Sequence, residues 1–144
     1  MINGHSRFGL IGMLGLLLAL APSHQAAASG LLFPKFKTPS GNIVCAYYNR
    51  SLRCDIRSGL VPRPSRPRRC PSYSDFGQGL TLGARRAGVV CAGDTLLGET
   101  APALAYGRVW RRGPLRCRSR VTGLTCKNTL GHGFFLSRRS WRLF

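Results

Sequence analysis

Six cysteines constrain this chain more than any other feature of its sequence. Their number is even, and two successive pairs have the same spacing, with eight residues between the partners. The six are Cys45, Cys54, Cys70, Cys91, Cys117 and Cys126. In an exported chain this pattern indicates a small domain that is held together by disulfides. The sequence has no C-x-x-C and only one histidine after residue 28, so it supports neither a metal site nor a redox pair.

The N-terminus has the pattern of a cleavable signal peptide. Arg7 precedes an apolar run at residues 8–21 (FGLIGMLGLLLALA), which is shorter than the roughly 20 residues that a bilayer span requires. Residues 26–28 (AAA) then fit the A-x-A cleavage pattern. The alternative to a signal peptide is that the N-terminal run forms a buried apolar helix. We expect a signal peptide at 1–28, a flexible mature N-terminus at 29–35 and one disulfide-rich β domain at 36–144, located in the periplasm or secreted to the medium.

The eight-residue spacing lets the two cysteines of a pair lie opposite each other in an antiparallel hairpin. Pairing Cys45 with Cys54 places Leu52 opposite Tyr47, so that apolar side chains share one face. The turn then falls at residues 49–50, where asparagine tolerates a positive φ.

Pairing Cys117 with Cys126 predicts a second hairpin of the same kind. Arg116 then faces Lys127 on the outer side of the hairpin. Like charges directly opposite each other destabilise a sheet unless something screens them. By elimination, the remaining disulfide joins Cys70 and Cys91.

The rest of the chain favours an all-β fold, which we expect to be a small disulfide-stapled antiparallel sheet, a sandwich or an open barrel built from hairpins. After the apolar N-terminal run there is no long helical periodicity, and glycine or proline interrupts short alternating stretches about every ten residues. The expected strands are residues 43–48, 52–56, 80–82, 89–92, 107–111, 115–119, 123–128 and 134–137.

The charge is strongly positive. Removal of residues 1–28 would leave 18 arginines and three lysines against four acidic residues, a net charge of +17. Guanidinium groups suit bidentate contacts with phosphate or carboxylate, so an anionic polymer or a membrane surface is an expected partner. The alternative is that the many arginines reflect only compositional drift in a genome rich in G and C. The candidate anion-binding residues are Arg63, Arg66, Arg68, Arg69, Arg108, Arg111, Arg116 and Lys127.

Residues 60–71 stand apart because they contain four prolines and four arginines. Proline favours an extended conformation, and Cys54 and Cys70 tether both ends, so we expect a stiff, solvated, cationic loop. Elsewhere, arginines flank Trp110 and Trp141, where they could bind anions or stack on the aromatic rings within the domain.

Catalytic groups are scarce. His132 is the only histidine after the expected cleavage point, and a hydrolase would need Asp94 to orient it and a serine nucleophile. Spacing does not select among Ser40, Ser137 and Ser140, and no G-x-S-x-G is present. Residues 131–133 (GHG) and 93–95 (GDT) are more typical of turns, the first with an unusual φ at both glycines and the second with Asp94 bonding backbone amides. No cofactor is indicated, and we expect a protein that is not an enzyme.

Several short motifs carry a resemblance over residues 36–143. They are SGNIVC (40–45), LRCDI (52–56), CAGDT (91–95), GLTCKN (123–128) and GHGF (131–134). The chain resembles an uncharacterised family of small secreted bacterial proteins, a domain of unknown function. The resemblance implies export and paired cysteines, and it implies no activity. Tryptophans often flank the third cysteine in that family, whereas arginines, Tyr73 and Phe76 lie there in this chain, so a role of that region is not carried over.

Three functions therefore compete. The first is an exported, non-enzymatic binding module for anionic envelope material, such as lipid headgroups, polyanionic polysaccharide or extracellular nucleic acid. The second is an inhibitor or ligand of a protein partner, with disulfides that hold its loops rigid. The third is a small hydrolase centred on His132. Salt separates the first two, because polyanion binding weakens steeply with ionic strength.

Overall fold

The computed structural model describes residues 34–144. The predicted signal peptide and residues 29–33 of the predicted flexible segment lie outside this range. The described residues contain no helix that could span a membrane. They form ten strands: β1 (Lys35–Lys37), β2 (Ile43–Tyr48), β3 (Ser51–Ile56), β4 (Phe76–Leu82), β5 (Ala87–Cys91), β6 (Val109–Arg112), β7 (Leu115–Arg120), β8 (Gly123–Asn128), β9 (Gly133–Leu136) and β10 (Trp141–Leu143).

The strands make two five-stranded antiparallel sheets, which confirms the all-β prediction. In the first sheet the order is β1-β2-β3-β4-β5, and in the second it is β10-β9-β8-β7-β6. Neighbours in each sheet are consecutive in the chain, so both sheets are simple meanders. Antiparallel neighbours can be joined by short turns, and this explains the close spacing of turn signals in the sequence.

Three strands differ from the expectation. Neither β1 nor β10 was predicted, because three residues are too few to show the alternation of apolar and polar side chains that indicates a strand. β1 begins at Lys35, the last residue of the segment expected to be flexible. β4 begins at Phe76 rather than at residue 80, since Gly77 and Gly79 hide its pattern. Gly79 lies so close to β3 that a Cβ there would be 2.2 Å from the carbonyl oxygen of Cys54.

The structure forms the three predicted disulfides, Cys45–Cys54, Cys70–Cys91 and Cys117–Cys126. Both hairpin pairs are in direct cross-strand register. The first hairpin turns at Asn49 and Arg50, whose φ angles are 47° and 59°. In the chain-entropy model, closing loops of about 10 and 20 residues contributes about 2.7 and 3.4 kcal/mol. The hairpin disulfides join β2 to β3 in the first sheet and β7 to β8 in the second.

The inner faces of the two sheets pack together in one hydrophobic core, which makes the fold a sandwich. Trp110 is fully buried in this core, with its ring centroid 5.2 Å from that of Phe36 and 6.1 Å from that of Tyr47. Both hairpin disulfides are buried in the same cluster. The outer face of each sheet therefore points away from the other sheet.

A connecting segment at residues 92–104 covers the outer face of the first sheet. Leu96 and Ala101 of this segment pack with Val44 and Ala46 of β2 in a second buried cluster. The backbone of the segment also pairs with β1, since the amide of Lys37 donates to Pro102 (2.9 Å). The first sheet consequently has little free outer surface near its middle strands.

An ion-pair network fixes this cover. The Arg53 guanidinium donates to both oxygens of the Asp55 carboxylate (2.9 and 2.8 Å) and to Oδ1 of Asp94 (2.7 Å). The Leu96 amide also donates to Asp55 (3.0 Å). Burial by itself would lower the pKa of Arg53, but its hydrogen bonds to the two carboxylates raise the pKa above its usual value. The bond from Arg53 lowers the pKa of Asp94. A backbone hydrogen bond of Asp94, of the kind expected for a turn, lowers its pKa in the same direction, but the sequence did not indicate the guanidinium partner, which is 41 residues away.

Candidate anion-binding face

Alternation along β7 divides its side chains between the core and the outer surface. Leu115, Cys117 and Ser119 are buried, whereas the residues between them point outward. The sheet register then places Arg116 between Arg111 of β6 and Lys127 of β8. We call the outer surface formed by this row and its neighbours the cationic face. Its basic residues are Arg111, Arg116, Arg118, Arg120, Lys127 and Arg142.

Acidic residues do not balance these charges. The chain has no aspartate or glutamate after Glu99, whereas residues 100–144 contain nine arginines and one lysine. Asp55 and Asp94 are bonded to Arg53, and Glu99 pairs with Lys35 of β1. Positive charge is therefore concentrated on the second sheet, where it produces a positive potential.

A shallow groove of about 380 Å³ runs over the cationic face. Phe135 of β9 forms one wall of the groove, and its ring lies so close to Gly123 that a Cβ there would be 2.8 Å from it. The Arg142 guanidinium lies 4.9 Å from the centroid of the same ring. The groove is lined by Arg116, Arg118, Arg120, Thr122, Thr125, Lys127, Phe135 and Arg142.

The matched positions of the two hairpin disulfides allow the two outer faces to be compared. Val44 and Ala46 flank Cys45 on the first sheet, and both are buried under the 92–104 segment. Arg116 and Arg118 flank Cys117 in the same way, yet Arg116 is only half-buried and Arg118 is exposed. Among the described residues, the second sheet thus exposes charged groups where the first sheet buries apolar ones.

A second cleft, of about 400 Å³, opens at one end of the sandwich, and we call it the end cleft. It lies between the loop before β2, the turn between β7 and β8 and the turn between β9 and β10. Arg120 and Thr122 line both this cleft and the groove, so the two are adjacent. The other polar side chains of the end cleft belong to Thr38, Ser40, Asn42, Tyr106, Ser137, Arg138 and Arg139.

The proline-rich loop is exposed, as the sequence predicts, but two of its arginines also make contacts within the domain. The guanidinium groups of Arg63 and Arg66 lie 4.9 and 4.5 Å from the ring centroid of Phe76. Arg66 also donates to the backbone oxygens of Pro71 (2.8 Å) and Ser74 (2.9 Å). Arg66 therefore holds the loop together, and replacing all four arginines would alter the loop as well as its charge.

The remaining sequence candidates are dispersed. Arg69 contacts Gly88, where a Cβ would be 2.0 Å from the guanidinium. Arg68 is exposed in the loop, and Arg108 is exposed in the turn before β6. Of the eight candidates, Arg111, Arg116 and Lys127 come together on the cationic face. Sequence reasoning missed Phe135 as a wall of the groove.

The residues of the suggested hydrolase site lie on different parts of the fold. His132 occupies the turn between β8 and β9, where its amide donates to the side chain of Asn128 (3.0 Å). Asp94 is bonded to Arg53 on the outer face of the first sheet. Of the two glycines beside His132, Gly131 has a φ of 88° as expected.

Gly133 does not supply a second unusual φ, because it belongs to β9. A Cβ at this position would lie 2.1 Å from the carbonyl oxygen of Cys126. The serine candidates Ser137 and Ser140 form the turn between β9 and β10, where the Ser137 hydroxyl donates to the Ser140 carbonyl (3.0 Å). Ser40 lies in the loop before β2, where its hydroxyl is 3.3 Å from that of Thr38.

The chain belongs to a family of unknown function, DUF6636, which matches residues 12–144. Comparisons with curated proteins and with solved structures gave no match. The match agrees with an uncharacterised domain of unknown function, and it assigns no activity. The geometry of the cationic face is therefore the basis for a functional proposal.

Proposed function

We propose that this protein is an exported, non-enzymatic binding module that holds an anionic polymer on the cationic face. One observation carries the proposal: strands β6, β7, β8 and β10 contribute six basic side chains to one outer face, and the chain has no aspartate or glutamate after Glu99 to neutralise them.

Repulsion within the cationic face favours the binding of anions. The cross-strand row of Arg111, Arg116 and Lys127 places three like charges next to one another, which costs stability in a sheet. An anionic group bound between them would relieve this cost. The strands already hold the arginines at fixed spacing, so little ordering of the backbone would oppose binding.

Export is the second part of the proposal. Three disulfides are typical of an oxidising environment outside the cytoplasm. We expect the exported protein to begin at Ser29, and the intact mass of material from the native host checks this. Protein that retains residues 1–28 and sediments with membranes would contradict the prediction.

The cationic face is tested by a triple variant, Arg116→Ser, Arg118→Ser and Lys127→Ser. We expect its affinity for heparin at about 50 mM salt to be about a hundredfold lower than that of the wild type, because three contacts with sulfate or carboxylate groups are lost. Titration calorimetry measures the affinity, and thermal unfolding checks that the variant is folded.

A control variant with the same change in charge is Arg57→Ser, Arg85→Ser and Arg86→Ser. These arginines are exposed and lie in turns of the first sheet. We expect the control to lose less than about tenfold in affinity, since only the general attraction weakens. Equal losses in the two variants would show that net charge, and not the cationic face, determines binding.

A further inference from the structure

We propose, on the basis of the proposed function, that the polymer is an anionic polysaccharide, and that it runs from the groove on the cationic face into the end cleft. The two depressions share Arg120 and Thr122 as lining residues, so they adjoin, and one chain that leaves the groove can enter the end cleft. Together they offer a path across the face and around the end of the sandwich.

The side chains along this path match the chemistry of an acidic sugar. Hydroxyl groups of Thr122, Thr125 and Ser40 and the amide of Asn42 can each donate and accept hydrogen bonds, as sugar hydroxyls do. The arginines supply bidentate donors for carboxylate or sulfate groups. A polymer that carries both hydroxyl and anionic groups would use both sets of side chains.

Single-stranded nucleic acid fits this path less well. Proteins that bind single strands stack the bases on several exposed aromatic rings. The path has two aromatic side chains: the ring of Phe135 in the groove already contacts Gly123 and Arg142, and Tyr106 in the end cleft is a single exposed ring. Bases would therefore lack a free stacking surface in the groove.

The path also lacks the features that would make a duplex or a membrane its specific partner. Sequence in double-stranded DNA is read by an element that protrudes into one of its grooves, whereas the cationic face is itself grooved, so a duplex would bind only through non-specific charge attraction. Interfacial membrane binding buries aromatic and aliphatic side chains beside the basic ones, and the path offers only Phe135, Tyr106 and Val121 of that kind beside seven basic residues.

The test removes hydroxyl groups without changing charge. In the variant Thr122→Val, Thr125→Val, two groups of the proposed path lose their hydrogen-bonding capacity while keeping their shape. We expect the dissociation constant for a heparin octasaccharide to rise about tenfold, the effect of losing two hydrogen bonds. Binding of inorganic polyphosphate of equal charge should change by less than about twofold, because phosphate oxygens only accept hydrogen bonds and the arginines and the lysine supply most of the donors.

The control variant is Thr100→Val, Thr129→Val, which alters two exposed threonines outside both depressions, and its affinities should equal those of the wild type. Unchanged octasaccharide binding by Thr122→Val, Thr125→Val, or an equal loss for both probes, would overturn the polysaccharide inference while the proposed function stands. Failure of the wild type to bind either probe at low salt would overturn the proposed function itself.

Discussion

Raising the salt concentration from about 50 to about 200 mM is expected to weaken the binding of double-stranded DNA, a probe of known charge spacing, by about a thousandfold. The six basic residues of the cationic face can each neutralise one phosphate and release one counterion. Release becomes less favourable as the salt concentration rises, and six such contacts give a slope of about −5 in a plot of log affinity against log salt.

Fluorescence anisotropy over this range of salt measures the slope. A slope near zero, or no binding at low salt, would contradict the electrostatic account. The competing reading, a ligand or inhibitor of one protein partner, would then gain support, because a packed protein interface depends far less on ionic strength.

Replacing Asp55 by alanine is expected to lower the free energy of unfolding by about 3–5 kcal/mol. Asp55 is fully buried and Arg53 is 5% exposed, so the variant would leave a buried guanidinium without its main partner. The Leu96 amide would lose its acceptor at the same time, which should loosen the cover over the first sheet. Urea unfolding measures the change.

Two further variants separate charge from packing at this site. Asp75→Ala removes an exposed carboxylate and should change the stability by less than about 0.5 kcal/mol. The double variant Arg53→Met, Asp55→Leu removes both buried charges and should be more stable than Asp55→Ala alone, because no charge is left unpaired. If Asp55→Ala behaves like Asp75→Ala, the buried network does not hold the segment.

Local patterns in the sequence predicted much of the fold. Equal spacing of Cys45 with Cys54 and of Cys117 with Cys126 gave the register of both hairpins, since opposite positions in a hairpin depend only on the turn and the alternation. The pairing of Arg116 with Lys127 followed from the same register. These are short-range relations, and the structure contains them as expected.

Contacts between distant parts of the chain could not be predicted in this way. Arg53 and Asp94 are 41 residues apart, and no spacing rule relates them. Arg63 and Arg66 are exposed, as their polar loop indicated, but folding also brings Phe76 beneath them. A contact between a charged group and a distant aromatic ring depends on tertiary packing, which alternation does not encode.

The groove on the cationic face was only partly predictable for the same reason. Alternation indicated that Arg116 and Lys127 point outward, but β10 was too short to be recognised, and its pairing with β9 places Arg142 beside Phe135. The absence of a Cβ at Gly123 lets the Phe135 ring approach the start of β8 closely. The shape of the site therefore depends on strand pairings that the sequence did not show.

Salt titrations of three proteins with double-stranded DNA test whether the cationic face binds the polymer. The wild type, the triple variant of Arg116, Arg118 and Lys127, and the charge-matched control of Arg57, Arg85 and Arg86 are measured side by side. We expect the slope of log affinity against log salt to fall in magnitude by about 2.7 in the triple variant, the value for three lost contacts. In the control variant the slope should stay at the wild-type value. Equal slopes for the triple variant and the wild type would contradict this expectation.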